Sequence, residues 1–148
     1  MVEAFDPGAF VQNFIRILET DPQFEDVNFY SASVPNNPHY PFLAIWISGT
    51  IKSGKLGQTL DLINGTLYIF YAEQQATGEC YSRFSQLHYL LRMNPTLNDE
   101  EGKATCSKIS EFSFEEMASQ EAMALGEGVT GWKVQARVEI TYSYQDGD

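Results

Sequence analysis

The C-terminal segment places the strongest constraint on what this chain can fold into. Trp132, Val134, Ala136, Val138, Ile140, Tyr142 and Tyr144 alternate with Lys133, Gln135, Arg137, Glu139, Thr141 and Ser143. Successive side chains of an extended chain point to opposite faces, so this segment has one dry face and one wet face. It must belong to a sheet that is covered on one side, because a slip of one residue would turn the whole apolar set into water. From Trp132 to Tyr144 it would span about 43 Å at ~3.3 Å per residue. That exceeds the usual strand of about five or six residues, so part of it is expected to project past the chain's own core, where a neighbouring chain could cover it.

The rest of the chain supplies partners for that strand. Asp6 followed by Pro7 reads as a helix start, since a carboxylate caps free N–H groups and proline suits the first helical position. Phe10, Val11, Phe14, Ile15 and Leu18 then fall on one face, which predicts a first helix from Pro7 to about Thr20, stopped by Asp21-Pro22. Asn28 to Val34 reads as a short strand ended by Pro35-Asn36-Asn37-Pro38. Phe42 to Ile47 is a continuous apolar run, expected to be a central strand buried on both faces. Thr59 to Tyr71 resumes as the second arm of a hairpin, with a kink or bulge expected at Asn64-Gly65. A second helix opens at Thr77-Gly78-Glu79, carries Cys80, Phe84, Leu87, His88 and Leu91 on one face, and closes at Asn94-Pro95. Ala104 to Phe114 reads as a weaker strand, and a short helix could fill Phe114 to Leu125. These elements predict a single α+β domain over residues 1–148, with a mixed or mostly antiparallel sheet of about four to five strands covered by two amphipathic helices.

Charge and composition narrow the function. Nine Lys and Arg face 20 Asp and Glu, a net charge of −11, which repels phosphate backbones and anionic lipid and so disfavours nucleic-acid binding. Eight of the acids lie between Asn98 and Gly128 beside only Lys103 and Lys108. With Gly126, Gly128 and Gly131, this predicts a long acidic loop at about 98–131, mobile in the free subunit and ordered on assembly. Its apolar residues, Met117, Met123 and Leu125 among them, are more than a solvated linker needs, so the loop is expected to meet a partner. No apolar run approaches the roughly 20 residues of a membrane helix, and the first residues are acidic, so a cytoplasmic origin and no membrane partner are expected.

No constellation in the sequence carries chemistry. His39 lies among turn prolines and His88 on the apolar helix face, neither near a nucleophile, base or ligand spacing. Cys80, near a helix start, has no visible activating partner, and Cys80 and Cys106 are expected as reduced thiols. Gly54-Lys55-Leu56-Gly57 lacks the ending of a phosphate-binding loop, and the acids around Asp99-Glu100-Glu101 lack calcium-loop spacing. The expectation is therefore a non-enzyme with no catalytic, cofactor-binding or metal residues. The candidate interface comprises Glu115, Glu116, Met117, Met123, Leu125, Trp132, Tyr142 and Tyr144.

The order helix, strand, proline turn, Tyr40-Pro41-Phe42-Leu43-Ala44-Ile45-Trp46, hairpin, strand Thr66-Leu67-Tyr68-Ile69-Phe70-Tyr71, helix, long loop and C-terminal alternating strand resembles the tail terminator or tail completion proteins of long-tailed bacteriophages. The likeness covers most of the chain in pattern. It implies a homo-oligomeric ring, often a hexamer, that stops tail-tube polymerisation and joins tail to head, with the tube protein and a head-completion or neck protein as partners. It also implies residence in the virion after assembly in the host cytoplasm. The acidic loop departs from the family pattern. The alternatives are a cytoplasmic interaction or adaptor domain using that loop on a basic partner, and a small enzyme with scattered catalytic residues.

Overall fold

The computed structural model describes residues 5–31, 33–54, 60–74, 78–94, 104–118, 120–121, 124, 126 and 128–143. The elements run α1 (Pro7–Glu19), a single 3-10 turn (Pro22–Phe24), β1 (Asn28–Ser31), β2 (Phe42–Ser53), β3 (Leu60–Glu73), α2 (Glu79–Met93), β4 (Ala104–Glu116) and β5 (Thr130–Ser143). The strands form one sheet in the order β1-β2-β3-β5-β4, parallel between β1 and β2 and antiparallel elsewhere. This is the expected α+β class, with both helices on one face.

The start of α1 follows its sequence signals: the Asp6 side chain accepts from the Gly8 N–H at 2.9 Å and Pro7 occupies the first turn. Its five predicted apolar residues are all buried, and each large side chain removed from water contributes roughly 1.5–3 kcal/mol. They pack on Leu43 and Ile45 of β2, Ile63, Leu67, Ile69 and Tyr71 of β3, and the dry side of β5. A second, smaller cluster of Phe42, Ala44, Ala72 and Val129 lies apart from this core, with Tyr30, Tyr40 and Phe70 packed against it. Phe42 and Ala44 thus alternate with Leu43 and Ile45 between two clusters, which buries the start of β2 on both faces.

Four expectations change. The Asn64-Gly65 pair carries no bulge: β2 and β3 keep one unbroken register, with Gly49 opposite Gly65 and Thr50 opposite Asn64. A Cβ on Gly49 would lie 2.7 Å from the Gly65 Cα, so the two strands approach too closely for a side chain. Secondly, β5 does not project. It pairs with β3 along its whole length, and its dry face from Trp132 to Tyr142 is buried within the chain. Phe5 covers Tyr142, their rings 5.6 Å apart and edge-on. Thirdly, the strand read at Ala104 to Phe114 is present as β4, Ala104–Glu116, paired with β5, so the 98–131 segment is not a loop throughout, and residues 98–103 of it lie outside the described residues. Lastly, β1 ends at Ser31, short of Val34, while β2 continues past Ile47 to Ser53.

Candidate functional site

The end of the sheet where β3 meets α2 holds a buried charged network that local sequence pattern does not reveal. Tyr71 and Glu73 lie two residues apart on β3 and so point to the same face. Arg83 sits one turn after Glu79 on α2, between Cys80 and Phe84 on the buried side. The Tyr71 hydroxyl donates to Glu73 Oε2 at 2.8 Å and accepts from Arg83 Nη1. Arg83 Nη2 meets Asp26 Oδ1 at 2.7 Å and Glu79 Oε2 at 3.5 Å, while its Nε donates to the Gln23 carbonyl at 3.2 Å. One guanidinium therefore joins α2, the turn after α1 and the end of β3.

Electrostatics match that geometry. Burial pushes the Tyr71 hydroxyl well above the usual tyrosine range and the bond to Glu73 raises it further, so it remains a donor. Burial alone would lower the Arg83 pKa, but Tyr71 and Asp26 more than offset it and the net shift is upward. Beside the network opens a cleft of about 230 Å³, lined by Asp26, Tyr40, Pro41, Glu73, Glu79 and Arg83. Glu73 is only 5% exposed, and among the described residues its second oxygen, Oε1, is buried without a hydrogen-bond partner.

The expected interface residues divide between core and surface. Trp132 and Tyr142 are core: Trp132 packs beneath α2, 5.3 Å from the rings of both Tyr81 and Phe84, and Tyr142 lies under Phe5. They serve the fold and present little surface to a neighbour. Glu115 and Glu116 are exposed at the end of β4, opposite Lys133 and Trp132 respectively. Met117 is half-buried and its N–H donates to the Gly131 carbonyl at 2.8 Å, which extends the ladder past β4. Met123, Leu125 and Tyr144 lie outside the described residues.

Two strand edges stay open among the described residues. β4 pairs only with β5. On the opposite side of the sheet, β1 covers β2 only from Phe42 to Ile45, leaving Trp46 to Ser53 without a strand on that side. A groove of about 440 Å³ runs between α2 and β4, with Phe84, His88, Ile109, Phe112 and Phe114 among its walls. Phe114 is 50% exposed there. Exposed Tyr89 and Met93 lie further along α2, beyond Tyr81.

The residues screened for chemistry fall in unremarkable surroundings. His88 packs edge-on against Phe112 at 5.1 Å, and His39 is an exposed turn residue whose N–H donates to the Tyr30 hydroxyl. Cys80 and Cys106 are free and buried. Burial raises both thiols, Cys106 to about 11, which holds them protonated and weakly nucleophilic at neutral pH. Among the described residues, no three His, Cys, Asp or Glu side chains gather as a metal site, and no helix is long and apolar enough to cross a membrane. Compared with known proteins, the chain matches no family model and no curated protein.

Proposed function

We propose that this protein is a ring-forming virion subunit, a tail terminator or neck component that stops growth of the tail tube and joins tail to head. The observation that carries the reading is the pair of open edges on opposite sides of one sheet, β4 on one and Trp46–Ser53 of β2 on the other. Unpaired N–H and C=O groups along an edge are a template for another strand. Contact between two different edges is heterologous, and repetition of one such contact closes into a ring when the rotation allows. The groove between α2 and β4, where Ile109, Phe112 and Phe114 lie beside Ser110 and Glu111, adds side-chain surface to the same contact. The specific partners, the tube protein and a neck protein, rest on the resemblance to tail terminators alone.

The test is the mass of the assembled species, measured on the chain alone and on tail tubes to which it is added. A closed ring of several copies is expected in at least one of the two conditions. Ile51 is 52% exposed on the open part of β2, so Ile51→Glu should change folding stability by less than about 0.5 kcal/mol while abolishing the ring. A chain that remains monomeric both alone and in the presence of tube ends would refute the reading. Selective capture by a basic protein without self-association would instead favour the adaptor alternative.

A further inference from the structure

We propose that the open half of β2 from a second copy lies antiparallel along β4, with Ile51 opposite Phe112, and covers the outer side of the groove between α2 and β4. This rests on the ring reading above and names the contact that would build the ring. Strand direction follows from the topology. β2, β3, β5 and β4 are neighbours in that order and each adjacent pair is antiparallel, so β4 runs opposite to β2. Copies that meet by unlike edges, with the helix-covered face kept on one side, share one orientation. The β4 of one copy therefore runs antiparallel to the β2 of the next.

Faces and lengths select the register. On β2, Ile47, Gly49 and Ile51 continue the alternation of Leu43 and Ile45 toward the helices, and Lys52 lies on the other face. On β4, Phe112 and Phe114 stand opposite Ala136 and Val134 of the dry side of β5, while Glu111 stands opposite Arg137 on the wet side. A slip of one residue would set the apolar side chains of one strand against the wet face of the other, so only steps of two remain. β4 pairs regularly from Glu111 to Glu116, beyond its second register shift. On β2, the pairing with β1 reaches Ile45 and the strand ends at Ser53. Glu111 to Glu116 therefore fit against Lys52 to Ile47, since a step of two either way meets β1 or passes the strand end.

The chemistry agrees with that register. Trp46–Ser53 carries one cation, Lys52, and no acid, whereas Glu111 to Glu116 carry three acids and no cation. Lys52 falls opposite Glu111, an opposite-charge pair across strands, both exposed in the single chain. Ile51, 52% exposed, falls opposite Phe112 in the groove wall. Phe114, 50% exposed, falls opposite Gly49, where no side chain competes for the space its ring would cover.

The experiment is disulfide trapping in the full chain carrying Lys52→Cys with Glu111→Cys, oxidised mildly alone and on tail tubes, with the mass of the assembled species measured in parallel. Both positions are exposed, and the native Cys80 and Cys106 are buried. Within one chain the two edges are separated by β3 and β5, so a link between these positions joins two copies. Directly paired Cα atoms of an antiparallel ladder lie about 4.5 or 5.5 Å apart, within the roughly 4.4–6.8 Å that a disulfide spans. Reductant-sensitive links that join all members of the ring are expected. Lys52→Cys with Ser113→Cys, and Thr50→Cys with Glu111→Cys, are each displaced by two residues, roughly 7 Å, and should link about tenfold more slowly or less. A ring whose copies link fastest through a displaced pair, or through none of the three, would overturn this contact and leave the ring reading standing. A chain that stays monomeric and unlinked in both conditions would overturn the two together.

Discussion

Arg83 shows how one residue can connect parts of the chain that are distant in sequence. Its guanidinium reaches the Tyr71 hydroxyl, the Asp26 carboxylate and the Gln23 carbonyl, which belong to β3 and to the turn after α1. Nothing near position 83 announces this role: Arg83 reads as one polar residue within the helix, and its partners lie 12, 57 and 60 positions away. The one local signal is position, since Arg83 adjoins Phe84 and follows Cys80 by three residues on the face that turns inward. Replacing Arg83 with Met fills the space but leaves the Tyr71 hydroxyl without its donor and the Glu73 carboxyl without nearby compensation. The expected loss is about 2–4 kcal/mol, read as a lower urea midpoint. Asp26→Asn should cost less than about 1 kcal/mol, because the Asp26 side chain is mostly in water. Equal midpoints for Arg83→Met and the parent would show that the buried network contributes nothing net to folding.

At the scale of elements, regular periodicity made some parts legible and interruptions hid others. α1 and β5 keep one period from end to end, so cap, face and strand direction follow from the residue types. β4 breaks its period twice, with register shifts between Cys106 and Lys108 and between Ile109 and Glu111. Each shift places an extra residue, Ser107 and Ser110, against the regular partner strand, so Cys106, Ile109, Phe112 and Phe114 are spaced by three, three and two rather than by twos. A strand with that spacing looks weak when it is read by alternation, and the acids around it favour a loop. The polar half of β2 was hidden for a different reason: Ser48 to Ser53 is exposed, and its pairing comes from the register with β3 and not from burial. That register rests on the glycine contact. Gly49→Ala would improve strand propensity, yet its Cβ would strike the Asn64 carbonyl and the Gly65 Cα, backbone atoms that cannot swing aside. We expect it to destabilise by about 1–3 kcal/mol. Gly65→Ala meets only the Ile47 side chain at 3.3 Å and the Ser48 carbonyl at 3.4 Å, and should cost less. Chemical denaturation of the two variants checks the order, and a Gly49→Ala protein as stable as the parent would place the strands further apart than the structure has them.

For the molecule as a whole, net charge and open edges make opposing demands, and their balance yields a prediction that separates the functional readings. Each copy carries a net charge of −11, so two copies approaching edge to edge repel each other at long range, while the contact itself would be made by backbone groups and apolar side chains. Salt weakens only the repulsion. Raising the ionic strength from about 0.01 M to about 1 M shortens the screening length from about 30 Å to about 3 Å, so self-association into a ring should strengthen across that range. Docking of exposed acids such as Glu115 and Glu116 on a basic partner has the reverse sign, because salt removes the attraction that steers the encounter. Glu115→Lys with Glu116→Lys sharpens the contrast: it should promote self-association at low salt by reducing repulsion between copies, and slow capture by a basic partner. Sedimentation of parent and double variant across the salt series measures both trends. A ring population that grows with salt in the parent, and forms at lower salt in the variant, is the result expected of an edge-to-edge assembly. A complex that dissolves as salt rises and is lost in the variant would assign the acidic surface to a basic partner and remove the main support for the ring.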